Sequence, residues 1–499
     1  MDIIRVHKKN HAFLHIDCDP GIANELTDFF TFYAEGYQFH PAYKNKVWDG
    51  KIRLFNGRDK ELPGGLFKYL KEFVAVRDYT LELEFSNYYG AIGSDAGIDM
   101  SYLEDYTFTS RGEPIGHRDY QLDAIYHGLT NKRALLISPT ASGKSFIIYS
   151  IMRYFLDAHP NKKALIVVPT TSLVKQMYSD FADYSEFDDT FNAKKEIHCI
   201  YGGQPKIAKE ERIVISTWQS IYKLKTPWFE QYGMVIGDEA HNFKAKSLVS
   251  ILSKCKEAEY RFGTTGTLDG SQVHKLVLEG HFGPSYKVTT TKDLMDSGAL
   301  ADLNINVLLL KYKEEYCREV IKKKYQDEIE FIIGYEKRNK FISKLALDQE
   351  GNTLVLFNYV EKHGKPLYKL ISENAHRRRK VFFVSGATDV DTREEVRRIT
   401  EKEKDAIIVA SLGVFSTGVN IRNLHNIIFA SPSKSQVKVL QSIGRGLRKS
   451  DNGQATTLYD IADDLHWKQK KNYTLNHAAE RIKIYSKEKF KYNIYEIDI

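Results

Sequence analysis

The segment from Ser138 to Ser145, with the sequence SPTASGKS, has the residue types of a loop that binds nucleotide phosphates. Main-chain amides and the start of a following helix attract phosphate oxygens, and the Lys144 ammonium supplies a cation to the β- and γ-phosphates. The Ser145 hydroxyl is a suitable ligand for Mg²⁺. We therefore expect a nucleotide to be bound by Thr140, Ala141, Ser142, Gly143, Lys144 and Ser145, with Lys144 also catalytic.

A pair of carboxylates in the motif Asp238-Glu239-Ala240-His241 could complete this site. The motif follows an apolar run, and a carboxylate at the end of a strand is well placed to hold Mg²⁺. We expect Asp238 to bind the ion, directly or through water, and Glu239 to orient and deprotonate the water that attacks the γ-phosphate. An isolated motif of this kind can also be a solvated helix start, where acids favour the helix dipole. The phosphate loop upstream favours the catalytic interpretation.

A third motif, with the sequence QSIGRGLR, runs from Gln441 to Arg448. Arg445 and Arg448 are three residues apart, so on a helix they project from one face. Such guanidinium groups can stabilise the charge that develops during phosphoryl transfer. Two arginines at this spacing are by themselves more often a surface face that forms salt bridges. Because they follow a complete set of nucleotide-site residues, we assign Gln441, Arg445 and Arg448 to the catalytic set.

These motifs need a scaffold that brings them together, and the apolar pattern predicts two sets of parallel strands. Short apolar runs alternate with helical stretches from Arg118 onward, which is typical of α/β units. The first set of predicted strands is 134–137, 165–168, 213–215, 235–236 and 261–264. The second set is 353–357, 381–384, 406–409, 427–429 and 456–459. We expect two α/β lobes that meet near residues 290–335.

Length and composition exclude several classes of protein. The 499 residues are too many for a single core, and 42% hydrophobic with 27% charged residues is ordinary globular usage. The net charge of +7 permits a polyanionic partner without requiring one. The four cysteines are far apart and lack zinc-site spacing, which favours a reducing cytosol. Because no run approaches about 18 apolar residues, we expect no membrane partner.

The N-terminal part of the chain shows a segregation of charge. Residues 1–80 mix patterns of strand and helix, and their stretch 40–60 interleaves cations with aromatic residues. Cations neutralise phosphate and rings can stack on bases, so this stretch suits a nucleic-acid face as well as it suits a solvated loop. The expected contacts are Lys44, Lys46, Lys51 and Arg53. From Leu81 to Ser110 there are six acids and no Lys or Arg, which predicts an exposed edge or linker.

Taken in order, the motifs resemble those of superfamily 2 helicases over about residues 113–465. The resemblance implies two RecA-like lobes with parallel sheets and an ATP site in the cleft between them. It implies that the nucleotide is also contacted by Tyr120, Gln121 and Gly418, and that hydrolysis is coupled to lobe movement by His241, Thr265 and Thr267. Two positions depart from the family pattern, because Gly266 replaces the usual alanine of motif III and Ala141 replaces a glycine of the phosphate loop.

The same resemblance implies a set of loops that hold the backbone of a nucleic-acid strand. Hydroxyls and main-chain amides in these loops contact phosphate, which positions the strand without reading its bases. The residues concerned are Pro169, Thr170, Gly202, Gly203, Thr217, Trp218, Asn358, Ser385, Gly386, Ser416 and Thr417.

Two further stretches resemble the phage UvsW-type branch of these helicases: GYQFHP at 36–41 with WDGKIRLF at 48–55, and Arg338-Asn339. This resemblance implies a motor that uses ATP and Mg²⁺ on branched DNA, namely Holliday junctions, forks, D-loops and R-loops, in recombination, repair and replication. It implies action in the host cytosol, possible contacts with recombination proteins, and a fold of two tandem RecA-like α/β lobes after a small α+β DNA-binding domain.

The expected domains are an N-terminal domain with its acidic linker (1–110), a first lobe (111–290), a connector (291–340), a second lobe (341–465) and a basic helical extension (466–499). Other functions fit part of the same pattern. They are an RNA helicase, a duplex translocase that does not separate strands, the motor of a restriction system, and an ATP-gated DNA-binding or annealing module.

Overall fold

The computed structural model describes residues 3–34, 36–84, 98–242, 245–266, 268, 272–417, 423–431 and 455–499. These residues form two compact units, one built mainly from the chain before Thr289 and the other mainly from Thr289–Ile499. The division therefore falls at the start of the junction expected near residues 290–335. No helix in these ranges is long and apolar enough to cross a membrane.

The N-terminal domain has the strands β1 (Ile3–Lys8), β2 (Phe13–Asp17), β3 (Thr31–Tyr33), β4 (Lys51–Arg53), β5 (Glu61–Pro63) and β6 (Thr80–Leu83), and the helices α1 (Pro20–Phe29), α2 (Pro41–Lys44) and α3 (Phe67–Arg77). Four strands form one sheet in the order β5-β2-β1-β6, and β3 pairs with β4 in a separate antiparallel ribbon. Alternate residues of β1 and β2, such as Ile4 and Leu14, are buried against the helices. The predicted small α+β domain is confirmed.

The first lobe, with the segment that leads into it, has the strands β7 (Thr109–Ser110), β8 (Glu113–Pro114), β9 (Arg133–Ile137), β10 (Lys163–Val168), β11 (Ile197–Ile200), β12 (Ile213–Thr217), β13 (Tyr232–Gly237), β14 (Tyr260–Thr265) and β15 (Ser285–Lys287). Its helices are α4 (Asp119–Asn131), α5 (Lys144–Ala158), α6 (Thr171–Tyr184), α7 (Ala193–Glu196), α8 (Trp218–Ile221), α9 (Thr226–Phe229), α10 (Ala245–Lys254) and α11 (Gln272–Phe282).

Seven of these strands form a parallel sheet in the order β11-β12-β10-β13-β14-β9-β15. Every residue of β10, β12, β13 and β14 except Lys163 is buried, as expected for a parallel sheet covered on both faces. Because the strands are parallel, all their carboxyl ends lie at one edge. That edge carries the phosphate loop, which follows β9, and the Asp238 motif, which follows β13, with β14 between them.

The second lobe has the strands β16 (Leu303–Lys311), β17 (Thr353–Phe357), β18 (Val381–Val384), β19 (Ile407–Ser411), β20 (Asn426–Phe429), β21 (Thr456–Asp464) and β22 (Tyr492–Asp498). Its helices are α12 (Thr291–Asp296), α13 (Glu314–Val320), α14 (Tyr325–Gly334), α15 (Glu336–Asp348), α16 (Lys365–Asn374), α17 (Val390–Lys402), α18 (Leu412–Thr417) and α19 (Tyr473–Lys487). The strands form a second parallel sheet in the order β18-β19-β17-β20-β21-β16-β22. Two tandem RecA-like lobes are thereby confirmed.

The structure differs from two expected boundaries of this lobe. Residues 303–311, expected in a connector, form β16, which pairs along its whole length with β21. The C-terminal segment is not only helical, because β22 pairs with the other side of β16. The basic helix α19 is held to the lobe by Arg481, whose buried guanidinium donates to Asp460 at 2.8 Å. The apolar run of β16 and this buried ion pair make both segments part of the lobe.

The acidic segment 81–110 was expected to be an exposed edge or linker, and from residue 98 onward the structure differs from this expectation. Leu103 and Phe108 are buried in the core of the first lobe, so this part of the segment packs on the lobe rather than forming an exposed edge. The acidic residues do not keep this part of the chain away from the lobe, because burying one large apolar side chain stabilises the packed arrangement by about 1.5–3 kcal/mol.

The N-terminal domain is docked on α11 of the first lobe. Leu276 of that helix belongs to the core of the N-terminal domain, and the Tyr69 hydroxyl donates to Glu279 Oε2 at 2.5 Å. Gly65 lies so close to the main-chain oxygen of Glu279 that a Cβ atom there would overlap it. Arg133 donates to the carbonyl of His11 at 2.6 Å. The domain is therefore fixed to the lobe by apolar, polar and backbone contacts.

Candidate active site and nucleic-acid interface

The phosphate loop spans the turn between β9 and α5. Gly143 is the N-cap of α5 with φ 79°, and Ala141 has φ 67°, so both adopt the left-handed conformation. The Ser142 hydroxyl donates to the carbonyl of Pro139 at 2.7 Å, and the Ser138 amide donates to the carbonyl of Thr265 at 2.8 Å. The start of α5 thus faces the carboxyl edge of the sheet, in the geometry that holds phosphate.

Lys144 is ion-paired with both carboxylates of the acidic motif. Its ammonium lies 2.6 Å from Glu239 Oε1 and 3.5 Å from Asp238 Oδ1. Burial alone would lower the pKa of Lys144, but the two carboxylates outweigh it and raise this pKa above its ordinary value. The predicted catalytic residues of this lobe therefore lie together in the structure.

Asp238 and His241 are positioned by two threonines of β14. The Thr264 hydroxyl donates to Asp238 Oδ1 at 2.6 Å, and His241 Nδ1 lies 2.7 Å from Thr265 Oγ1. His241 Nδ1 is also 3.5 Å from Glu239 Oε2. The predicted coupling residues His241 and Thr265 are therefore in contact. Thr264 was not predicted, because its neighbour Thr265 occupies the motif position and sequence alone does not show which threonine reaches Asp238.

Gln121 is buried and lies against the phosphate loop. Its side-chain oxygen accepts from the Arg118 amide at 2.9 Å, which caps α4 and fixes the direction of the side chain. A Cβ atom at Gly143 would overlap its amide nitrogen. Tyr120 accepts from Arg118 at 3.0 Å. The geometry brings Gln121 to the phosphate loop, while Tyr120 is in contact with Arg118.

Ser145 and Asp238 fit a site for Mg²⁺, since hydroxyl and carboxylate oxygens are the ligands this ion takes in proteins. No group of three or more His, Cys, Asp or Glu side chains in the described ranges could hold a metal by itself. Ser145 Oγ lies 2.9 Å from the Tyr184 hydroxyl, a contact that no sequence motif indicated.

Several predicted residues lie outside the described part of the chain. They are Thr267, Gly418, Gln441, Arg445 and Arg448. Their assignment to coupling, nucleotide binding and catalysis stays a prediction from the sequence.

Three family models match the chain in order. They describe the N-terminal domain of the DNA helicase UvsW (residues 2–84), the res subunit of type III restriction enzymes (114–270) and the helicase conserved C-terminal domain (336–450). The ATP-dependent DNA helicase uvsW of Enterobacteria phage T4 is 38% identical over 507 residues, which cover 98% of both chains. This chain belongs to the UvsW family of DNA helicases.

Solved and curated relatives agree with that family. The crystal structure of T4 UvsW matches with 34% identity and a TM-score of 0.52 over the whole of both chains. The DNA 3′-5′ translocase XPB2 of Sulfurisphaera tokodaii is 23% identical over 84% of this chain and 93% of its own. A fragment of a type I restriction HsdR subunit from Vibrio vulnificus shares the fold, with a TM-score of 0.57 at 19% identity. The protein is an ATP-hydrolysing superfamily 2 helicase, as its motifs predicted.

The UvsW-type N-terminal domain carries the predicted cations on and near the β3–β4 ribbon. Lys51 lies opposite Tyr33, with its ammonium 5.3 Å from the centre of that ring. Tyr33 is 53% exposed and stacks on Tyr37 at 4.6 Å between ring centres. Lys44 and Lys46 are exposed in and after α2. Arg53 is exposed too and forms an ion pair with Asp49 at 2.5 Å.

In the first lobe of this UvsW-type helicase, the loops expected to hold a strand lie at the carboxyl edge of the sheet. Thr170 caps α6 by accepting from the Leu173 amide at 3.3 Å, and Thr217 shares a hydrogen bond with Ser220 at 2.9 Å. The Trp218 ring packs against the core and Tyr222. All three side chains are therefore engaged in contacts within the lobe. Pro169 follows β10, while Gly202 and Gly203 form an exposed turn after β11.

The second lobe arranges its predicted contacts in the same way. Asn358 follows β17 and is exposed, and Ser385 and Gly386 follow β18. The carbonyl of Gly386 accepts from Arg393 at 3.0 Å, and no atom of the described part of the chain lies within 4 Å of a Cβ added at Gly386. Ser416 and Thr417 end α18. Each lobe thus places the residues predicted to contact a strand at one edge of its sheet.

Proposed function

We propose that this helicase acts on branched DNA, including Holliday junctions, forks, D-loops and R-loops, during phage recombination, repair and replication in the host cytosol. The observation that carries the proposal is the N-terminal domain, which presents exposed cations beside stacked rings and is fixed to the first motor lobe. A junction offers duplex and single-stranded arms at once. A second nucleic-acid surface fixed to the first motor lobe is suited to hold one arm while the other is moved.

The exposed rings and cations suit this role for separate reasons. The ammonium groups of Lys44, Lys46 and Lys51 can neutralise phosphates on any sequence. Tyr33 is about half exposed as a residue although its ring stacks on Tyr37, so it can also pack against a base or sugar. Neither interaction reads bases, which agrees with a motor that must act at any branch point.

Hydrolysis requires the acidic pair to be released from Lys144. When nucleotide binds, Lys144 turns from Glu239 to the β- and γ-phosphates, and Glu239 becomes free to take a proton from the attacking water. Asp238, held by Thr264, and Ser145 are the residues that would hold Mg²⁺, which supplies charge neutralisation at the phosphates. We assign stabilisation of the transition state to Arg445 and Arg448.

ATP hydrolysis and unwinding on matched substrates test the proposal. Wild type should unwind a four-way junction, a fork and an R-loop faster than a linear duplex or an RNA duplex. Glu239→Gln should reduce DNA-stimulated hydrolysis at least about a hundredfold, as removal of a general base does. Lys144→Ala should abolish it because the cation at the β- and γ-phosphates is lost. The double variant Lys51→Ala/Arg53→Ala should weaken binding to branched DNA, with less effect at high salt.

Arg5→Ala is the matched control for the N-terminal face, because Arg5 is an exposed cation on the sheet of the same domain, ion-paired with Glu82. It should leave branched-DNA binding near the wild-type value. Equal unwinding of all substrates contradicts the branched-DNA assignment, and preference for the RNA duplex makes the protein an RNA helicase. Translocation on duplex without strand separation makes it a duplex translocase. Annealing that persists in Glu239→Gln without any unwinding makes it an annealing module.

A further inference from the structure

The C-terminal residue of α6 reaches the serine assigned to Mg²⁺. Tyr184 places its hydroxyl 2.9 Å from Ser145 Oγ. Its ring lies against two aromatic residues of α5, 5.1 Å from Phe146 and 5.6 Å from Tyr149 between ring centres. The direction of the phenol is therefore set by packing as well as by the hydrogen bond to Ser145.

The chemistry of a hydroxyl ligand gives this contact a role. A serine hydroxyl has one proton and two lone pairs. When one lone pair is given to a cation, the proton must point away from that cation and needs an acceptor. The Tyr184 oxygen lies at hydrogen-bond distance from Ser145 and can accept it.

We propose that Tyr184 is a positioning residue for the Mg²⁺ site, which accepts the Ser145 proton and so holds a serine lone pair toward the ion. The proposal rests on the function proposed above for Ser145. It adds a residue of α6 to a site otherwise made by the phosphate loop and the acidic motif.

A second set of contacts fixes the end of the helix that carries Tyr184. The neighbouring residue Asp183 accepts from the Arg111 amide at 2.7 Å and from the Ser110 hydroxyl at 3.1 Å. Its own carbonyl accepts from the Thr109 hydroxyl at 2.6 Å. These three residues belong to the segment between the N-terminal domain and the motor. The position of Tyr184 is thus determined by packing on one side and by this segment on the other.

Nucleotide binding with and without the ion tests the proposal. Affinity for a fluorescent ADP analogue is measured in Mg²⁺ and in EDTA, together with the Mg²⁺ concentration that gives half-maximal ATP hydrolysis. Tyr184→Phe keeps the ring and removes the acceptor. It should raise that Mg²⁺ concentration about two- to tenfold, the range for loss of one hydrogen bond. It should weaken binding of the analogue in Mg²⁺ and leave binding in EDTA unchanged.

Two further variants separate the outcomes. Tyr178→Phe removes a hydroxyl from another partly buried tyrosine of α6 and should behave as wild type. Ser145→Ala should lose most of the Mg²⁺ dependence of binding. If Ser145→Ala shows no such loss, the proposed function of Ser145 fails. If Ser145→Ala responds but Tyr184→Phe matches wild type, or loses affinity equally in Mg²⁺ and EDTA, the role of Tyr184 is overturned.

Discussion

Three residues at the nucleotide site have left-handed backbones: Ala141, Gly143 and Glu239, with φ of 67°, 79° and 51°. For residues other than glycine this conformation costs about 1–2 kcal/mol. Only Gly143 avoids that cost, so Ala141 and Glu239 are held in place by the surrounding fold. Such strain is typical of sites where a side chain must be aimed at a ligand, and here it directs the Glu239 carboxylate toward Lys144.

Two alanine substitutions distinguish a constrained glycine from a free one. At Gly143 a Cβ would overlap the Gln121 side chain, and the alanine would also have to adopt the left-handed backbone of this position. Gly143→Ala should therefore lower ATP affinity about tenfold. At Gly266 a Cβ would lie 3.7 Å from the Ser138 carbonyl, which is ordinary contact and the nearest one among the described residues. Gly266→Ala should therefore keep its ATP affinity within about a factor of two. Nucleotide titration checks both, and equal losses would contradict this assignment.

At the scale of elements, the buried parallel strands could be predicted because their apolar runs have few interruptions. All ten predicted strands are present, and the phosphate loop and the acidic motif each follow the strand expected. Four strands of the two large sheets were missed, namely β11, β15, β16 and β22. β11, β15 and β22 lie at sheet edges, and the run that forms β16 was assigned to the connector. β15 has three residues, none of them buried, and β22 is an edge strand with mostly exposed residues, so neither shows the pattern of a buried strand.

The candidate site was predictable to a similar extent. Lys144, Asp238 and Glu239 occupy motif positions, and the structure brings their side chains together. Thr264 and Tyr184 reach the site only through the fold, because the first depends on strand orientation and the second on how far α6 extends. Contacts made by side chains outside motifs leave no signal in one sequence.

The docking of the N-terminal domain on α11 can be tested at one backbone contact. Gly65→Ala would place a methyl group into the Glu279 carbonyl and should destabilise the interface by about 1–3 kcal/mol, as other overpacked sites do. The midpoint temperature of the first thermal unfolding transition should fall, and protease should separate the N-terminal domain from the first lobe faster than in wild type. Gly21→Ala, in α1 with nothing within 4 Å of its Cβ, should be neutral or slightly stabilising. If Gly65→Ala unfolds at the same temperature as wild type, the docking of the N-terminal domain at this backbone contact is contradicted.

At the scale of the whole molecule, buried histidines make stability depend on pH. Burial lowers the pKa of His281 to about 3, with Arg261 and Arg133 adding to the effect, and burial lowers the pKa of His117 to about 4. In the unfolded chain a histidine titrates near 6.5. These groups therefore contribute their full stability above about pH 6.5, and that contribution is lost as the pH falls toward the folded values.

Between these two pKa values the free energy of unfolding decreases by up to about 1.4 kcal/mol per pH unit for each histidine as the pH is lowered. We expect the temperature of half unfolding to decrease as the pH is lowered from 6.5 to 5. In His281→Gln the number of protons taken up on unfolding in this range should be smaller by one, so the decrease should be less steep. Midpoints measured in one buffer series check this. An unchanged dependence in the variant would exclude His281 as a contributor.

The position of β16 has a consequence for how the second lobe folds. This strand is the first of its lobe in the chain, but both of its neighbours in the sheet, β21 and β22, come last. Long-range pairing of this kind is slow because a large loop must close before any contact is gained. During synthesis the apolar β16 therefore leaves the ribosome with both edges unpaired, and it cannot pair until β21 and β22 have been synthesised. Until β21 and β22 have been made, this strand presents unpaired edges of the kind that associate with other chains.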